Sequence, residues 1–414
     1  DGSLEIVSSW LCQPLWVSQS DNQMETLSLQ DEINSLEKQL IQVKRRLFPA
    51  AEQCAECSEP EYGIHQMTAR QEFNTARSHC NPFEVLGERR GGIAGMFMNR
   101  AAVKLANIDA LIGFELTRYD GQGPFVFVDL AGAPGGFSEY VIRRCQIEGT
   151  SAVMGYGMSL LGSNEYGEGT PWKLNSKIYA ENSFLRQYRI CEGADGTGDI
   201  FVWDNVESLL SVMMNDYSQY NNTNNGEFRE EAKANLVLAD GGFDAQRDSE
   251  NQEAIAQKLI VCEVAAALAV LRKGGTMVVK MFGFQTEVVR AVLADLQNRF
   301  HDLIVLKPIS SRPASAERYL VCREFDGLEE SWNGPSWTSR MFLGEAFGLK
   351  LHNTTYFDSF DRDLLRLNLK SCFSILTYLE NKHSGDSDEW DWNKRGSHAL
   401  VVRPAAYKHG WRLF

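Results

Sequence analysis

Four residues of this chain could do chemistry together: Lys104, Asp240, Lys280 and Glu317. A lysine at its ordinary pKa of about 10.4 is a poor base. Burial and a nearby cation lower that pKa, and a lone pair then becomes available to take a proton. Lys104 can serve as the cation for Lys280, while Asp240 and Glu317 hold the two amines in place. Two amines with two carboxylates are nearly neutral, so the cluster can be partly buried at tolerable cost. The fitting substrate is a hydroxyl that must lose its proton as it attacks. A single Lys or Glu at a strand end is more often a surface charge. The order Lys, Asp, Lys, Glu at sheet positions makes four unrelated surface charges the weaker reading.

These groups need a frame that gathers them. Residues 125–130 are a short apolar, β-rich run, as expected of a strand buried on both faces. Gly132, Gly135 and Gly136 follow with Pro134 among them, and residues 138–142 read as the first turns of a helix. Strand, glycine turn, helix is the opening unit of a nucleotide-binding α/β sheet. The spacing is G-x-x-G-G, neither the dinucleotide GxGxxG nor a P-loop. A ligand-free tight turn is the bland reading, but so many glycines at one strand end are costly without a reason. Further strands are predicted at 152–156, 188–191, 235–239, 276–279, 303–306 and 319–322. Helices are predicted at 94–112, 203–214, 250–272 and 284–300. The alternation describes an α/β fold with a mainly parallel, doubly wound sheet. Ligands of such sheets bind beyond the carboxyl ends of the strands, where Asp129, Asp240 and Lys280 fall.

The flanks read differently. Residues 1–66 form an N-terminal extension with one amphipathic helix at 29–47. Its seam is Leu29, Ile33, Leu36, Leu40, Val43 and Leu47, with Ser28 and Asp31 at its start and Pro49 limiting its end. Packing against the main domain is the expected use of that seam. The catalytic domain is expected over 67–325, with a helix at 67–78 ending in Arg77, a polar insertion at 161–183 and a surface loop at 215–233. Residues 326–414 form a C-terminal extension with a helix at 361–382 and a tail from 393 bearing five Lys/Arg and no acid. Tyr407 and Trp411 interleave with those charges, so the tail could touch a phosphate backbone or simply be solvated.

The totals bound the function. The 414 residues are 43% hydrophobic, enough for a substantial core. A net charge of −14 argues against sequence-blind nucleic-acid binding but leaves room for a local basic groove. Nine scattered cysteines fit free thiols better than a disulfide framework. Cys54 and Cys57 form one CxxC without a second pair and are read as ordinary thiols; no metal site is expected. No apolar run approaches 18 residues, so no membrane span is expected. Asp1 is not a natural start, so the chain is expected to be a fragment.

The motifs, taken together, identify a resemblance. They are Ala76-Arg77, Asn81 to Glu84, Asn99 to Lys104, Asp129 to Tyr140, Gly198-Asp199-Ile200, Ala239 to Phe243, Lys280 and Ser311 to Tyr319. In this order the chain resembles the FtsJ-type ribose 2′-O-methyltransferases, and within them the eukaryotic cap-1 branch. The resemblance implies a Rossmann-like methyltransferase fold using S-adenosylmethionine. It implies methylation of the first transcribed nucleotide of m7G-capped RNA. It matches Lys104, Asp240, Lys280 and Glu317 to a K-D-K-E tetrad, with Lys280 as proton acceptor. Ala131, Gly132, Ala133, Pro134, Gly135, Gly136 and Phe137 match the methyl-donor loop; Asn99, Asp199 and Ile200 would also hold the donor. Arg77, Asn251 and Glu317 match substrate contacts, Asn251 with its spacing shifted by one residue. A nuclear location and contact with the transcription or capping machinery are implied as well. His79 departs from a frequent Arg and Met281 from a Thr, and nothing in the last 90 or so residues matches a nucleotidyl-transfer signature. The cap-stacking aromatic stays open among Trp10, Trp16, Phe83, Trp332, Trp337 and Trp411. Two other readings stand beside the first: a 2′-O-methyltransferase of another RNA, and a non-catalytic RNA-binding protein on the same fold.

Overall fold

The computed structural model describes residues 9–14, 23–57, 68–87, 90, 92–164, 167–174, 183–222, 230–242, 252–384, 407–408 and 410–413. The strands are β1 (Ser9–Pro14), β2 (Phe125–Leu130), β3 (Val153–Met158), β4 (Ser163–Asn164), β5 (Gly167–Glu168), β6 (Leu185–Ile190), β7 (Ala234–Ala239), β8 (Leu271–Met281), β9 (Phe300–Pro308) and β10 (Arg318–Phe325). The α-helices are α1 (Gln23–Cys57), α2 (Ala69–His79), α3 (Arg100–Leu111), α4 (Gly136–Glu148), α5 (Trp203–Tyr220), α6 (Gln252–Val270), α7 (Glu287–Arg299), α8 (Gly334–Phe342) and α9 (Thr354–Ser384).

Eight strands form one sheet in the order β1-β9-β10-β8-β7-β2-β3-β6, and β4 with β5 form a small hairpin. From β8 to β6 every pairing is parallel. β10, β9 and β1 then add antiparallel strands at one side. The period-2 alternation of β2 explains why the sheet is covered on both faces. Val126, Val128 and Leu130 enter one core layer, with α5 to α9. Phe125 and Phe127 enter the other, with α3 and α4. α6 is apolar on nearly every side, and its Ile260 to Leu268 stretch is almost wholly buried, as suits a helix enclosed by the sheet and other helices.

Several boundaries differ from the sequence expectation. α1 runs through Pro49 to Cys57 instead of ending there. A proline inside a helix removes one hydrogen bond. Here the helix has packing to offset it: Leu40, Val43, Leu47, Ala50 and Ala51 share a cluster with Ala76 of α2 and with Cys372, Ile375 and Leu379 of α9. The helix predicted from 94 begins instead at Arg100, after a 3₁₀ turn at Ala94–Met96, because Asn99 caps it by accepting from the Ala101 amide. α5 continues to Tyr220, past the point where an Asn-rich loop was expected. The reason is tertiary: Asp216 is buried and accepts from Gln187 and Arg189 on β6. The described end of the C-terminal tail is not a solvated terminus. Tyr407, Trp411 and Leu413 are buried beside Phe83, and Arg144 donates to the Arg412 carbonyl. No helix among the described residues is long and apolar enough to cross a membrane.

Candidate active site

The antiparallel strand β10 is what completes the site. It pairs with β8 so that Tyr319 lies opposite Lys280 and Arg318 opposite Met281. Glu317, just before β10, therefore arrives at the carboxyl end of β8. β7 ends beside β8 with Ala239 opposite Val279, and that places Asp240 next to Lys280. α3 lies over this edge and brings Lys104.

The four side chains meet. Lys280 Nζ lies 3.0 Å from Asp240 Oδ1 and donates to the Asp240 carbonyl at 2.7 Å. Lys104 Nζ donates to Glu317 Oε2 at 2.7 Å. Tyr319 adds a hydroxyl that donates to Asp240 Oδ1 at 2.9 Å, and Ser311 donates to Glu317 Oε1 at 2.7 Å. Burial opposes the charge on Lys104, yet Glu317 and Asp240 outweigh it and raise its pKa. Burial likewise opposes the charge on Glu317, but Lys104, Lys280 and Lys307 hold its carboxyl well below the usual range. Lys104 and Glu317 are thus a fixed ion pair, and the pair of Lys280 with Asp240 stands beside it.

The glycine turn lies at the end of β2, the strand next to β7. Gly135 has φ +106°, a conformation that a side chain would strain. A Cβ on Gly132 would stand 2.2 Å from the Asp129 carboxyl, and one on Gly136 would stand 2.1 Å from Asn99 Oδ1. The backbone of 131–137 therefore forms a close-packed cradle in which neither Gly132 nor Gly136 has room for a side chain, because Asp129 and Asn99 occupy that space. Asn99 caps α3 and touches this cradle, while Glu139 accepts from the Met98 amide and ties the two helix starts together. Asp129 lies beneath, with Oδ2 bonded to the Ser138 amide and hydroxyl and Oδ1 without a hydrogen-bond partner. Burial pushes its carboxyl up to about 7. Gly198 packs on the Ser159 carbonyl just past β3, so Asp199 and the buried Ile200 sit beyond the neighbouring strand ends. Trp172, from the 161–183 insertion, lies against Gly135 and Gly157 and edges onto Tyr188. It was not singled out in the sequence, because a lone Trp in a polar segment carries no local signal.

A second charged cluster borders the tetrad. Arg100 and Arg312 both pair with Glu84. Burial alone would raise the Glu84 pKa, but these two guanidinium groups outweigh it and bring it down to about 2. Burial pushes the Arg77 guanidinium down to about 10, helped by Arg312, Arg100 and Arg70 and opposed by Glu84. Arg77 lies over the Phe73 ring, bonds Asn74 and keeps a buried Nε without a hydrogen-bond partner. Three arginines around one carboxylate are a local cationic patch in an acidic chain.

Other expected residues fall elsewhere. Asn251, Phe243 and Trp16 lie outside the described residues, as do the side chains of Trp10, Cys54 and Cys57. Phe83, Trp337 and Trp411 are core residues, at most 2% exposed, so none of the three is free to stack on a base. Trp332 packs against Trp203. His79 stacks on Tyr378 of α9, a packing role in place of the frequent arginine.

A family model described as FtsJ-like methyltransferase matches residues 97–325. Among curated proteins, the chain is 34% identical over 263 residues to "Cap-specific mRNA (nucleoside-2'-O-)-methyltransferase 1" of Drosophila melanogaster, covering 61% of this chain and 29% of that protein. It is 31% identical over 271 residues to the protein of the same name from Xenopus laevis, covering 63% and 28%. The chain thus spans under a third of the length of these curated relatives.

Proposed function

The chain belongs to the FtsJ-like methyltransferase family, and from that premise we propose that it methylates the ribose 2′-hydroxyl of the first transcribed nucleotide of m7G-capped RNA, with Lys280 taking the hydroxyl proton. The cofactor of such enzymes is S-adenosylmethionine, which supplies a methyl group on a sulfonium. The 131–137 cradle, Asn99, Asp199 and Ile200 are the residues that would hold it. The observation that carries the reading is the meeting of Lys104 with Glu317 and of Lys280 with Asp240 beyond the same strand ends, next to that cradle.

The roles divide by charge. The raised pKa of Lys104 makes it a permanent cation, and a permanent cation cannot accept a proton. Lys280 is left as the acceptor, with Asp240 orienting its amine through a carboxylate that Tyr319 also holds. The arginine patch at Arg77, Arg100 and Arg312 supports an anionic substrate: guanidinium groups in excess of carboxylate suit the phosphates of a capped RNA end. A nuclear location and contact with the transcription or capping machinery belong to the same proposal; imaging and affinity purification test them.

The decisive assay incubates the chain with labelled methyl donor and short RNAs ending in m7GpppN, GpppN or pppN. Digestion then locates the label. Label on the cap-proximal ribose is expected, and its absence from every such ribose removes the reading. Label confined to internal riboses moves the substrate to another RNA.

A further inference from the structure

A fifth ionisable side chain stands behind the tetrad. Lys307 lies on β9, and its side chain is wholly buried. Its amine donates to Ser311 Oγ at 2.8 Å, to the Ser315 carbonyl at 2.9 Å and to the Glu317 carbonyl at 2.5 Å. All three acceptors are neutral oxygens on the loop that delivers Glu317. Ser311 passes the contact on, because its hydroxyl accepts from Lys307 and donates to Glu317 Oε1. The other oxygen of Glu317 accepts from Lys104. One continuous chain therefore runs from Lys307 through Ser311 and Glu317 to Lys104.

Two physical consequences follow. The first is geometric. An ammonium with three donors can satisfy Ser311, Ser315 and Glu317 at once; a neutral amine has only two hydrogens and must release or reverse one bond. The loop's shape is thereby tied to the charge of Lys307. The second is electrostatic. Lys307 adds a third amine beside the two carboxylates Asp240 and Glu317, and Glu263 also lies within reach of Lys280 and Asp240. The charged groups that reach Lys307 are Glu317, Arg318 at the start of β10, and Lys104 from α3. Burial lowers the pKa of its amine, opposed by Glu317 and helped by Arg318 and Lys104.

We propose that Lys307 is a positioning residue for methyl transfer: it holds Ser311 and the 315–317 backbone so that Glu317 faces Lys104, and its charge helps set the pH at which the tetrad gives up a proton. The proposal rests on the reading of Lys280 as base. It concerns a group that touches neither substrate nor donor.

The test compares Lys307→Met and Ser311→Ala with the unmodified chain, using S-adenosylmethionine and a short m7GpppA-capped RNA. Single-turnover methyl transfer is followed from pH 6 to 9.5, with donor binding and folding monitored in parallel. Lys307→Met should lower the transfer rate by roughly 10- to 100-fold, with the KM of both substrates held within about threefold. It should also move the acid limb of the pH–rate profile to higher pH, because removing a cation makes the remaining amines hold their protons more tightly. Ser311→Ala should move the limb the same way by less. A folded Lys307→Met whose limb does not move, whatever its rate, overturns the proposal. If Lys307→Met does not fold, an unmoved limb in Ser311→Ala overturns it. Lys280→Ala, run alongside, separates the two ideas. Full transfer by that variant sinks the base reading, whereas loss of transfer together with an unmoved limb in the Lys307 and Ser311 variants sinks only the role of Lys307.

Discussion

Two charged clusters sit side by side at one edge of the sheet, and they are built on opposite principles. In the tetrad each amine has its own carboxylate, Lys104 with Glu317 and Lys280 with Asp240. In the neighbouring cluster Arg100 and Arg312 share the single carboxylate of Glu84, and Arg77 feels both of them as like charges. Residue type differs accordingly. Lysine can lose its proton in a protein interior; arginine stays charged. A balanced lysine cluster is suited to moving a proton, and an unbalanced arginine cluster to holding an anion. On the proposed reading the two neighbouring sites serve different steps, and the pairing of amine with carboxylate separates them.

That contrast can be broken by experiment. Lys280→Ala should remove the proton acceptor and slow methyl transfer by about 10²- to 10⁴-fold, with donor affinity changed by less than about threefold. Isothermal titration with S-adenosylmethionine beside a single-turnover assay measures both, and a parallel collapse of donor affinity would assign Lys280 to binding as well as to proton removal. Arg77→Ala should act on the other side of the contrast. The KM for capped RNA should rise about tenfold and the salt dependence of binding should flatten by roughly one phosphate contact, with donor affinity untouched. An unchanged salt slope would take Arg77 out of the anion site.

A separate effect concerns stability. Glu263, fully buried, accepts from the Gly241 amide with one oxygen and leaves the other without a hydrogen-bond partner. Burial pushes its carboxyl up to about 8. A raised carboxyl keeps its proton in the folded state while the unfolded chain has lost it, so its contribution to stability falls as pH rises from about 4 to 8. Glu263→Gln removes that titration. The stability of the variant relative to the unmodified chain should therefore grow as pH rises from about 5 to 8, then level off. Urea denaturation at several pH values reads this directly, and a constant difference would mean that Glu263 is charged when folded.

Much of the frame was legible beforehand. The run 125–130 and its glycines announced a strand, a tight turn and a helix, and β2, the turn and α4 occupy those places. Local pattern suffices there, because a strand buried on both faces is apolar throughout and a backbone with φ of +106° selects glycine. Misread segments share a cause. The length of α1 past Pro49, the last turns of α5 and the burial of Tyr407 and Trp411 all depend on partners far away in the chain. Propensity near a residue cannot report what another helix will cover.

The amino-acid order by itself placed Asp129 and Asp240 near the ends of their apolar runs, whereas β8 continues through Lys280 to Met281 because β10 pairs with it there. Which of those side chains share charge was decided by the fold alone. Lys104 and Glu317 are 213 residues apart, and Arg312 and Glu84 are 228 apart. Lys307 reads in sequence as an unremarked lysine beside a proline, and only its enclosure beneath the Glu317 loop makes it part of the electrostatic sum. Burial and charge balance are sums over everything within a few ångströms, and that neighbourhood exists only once the chain has folded.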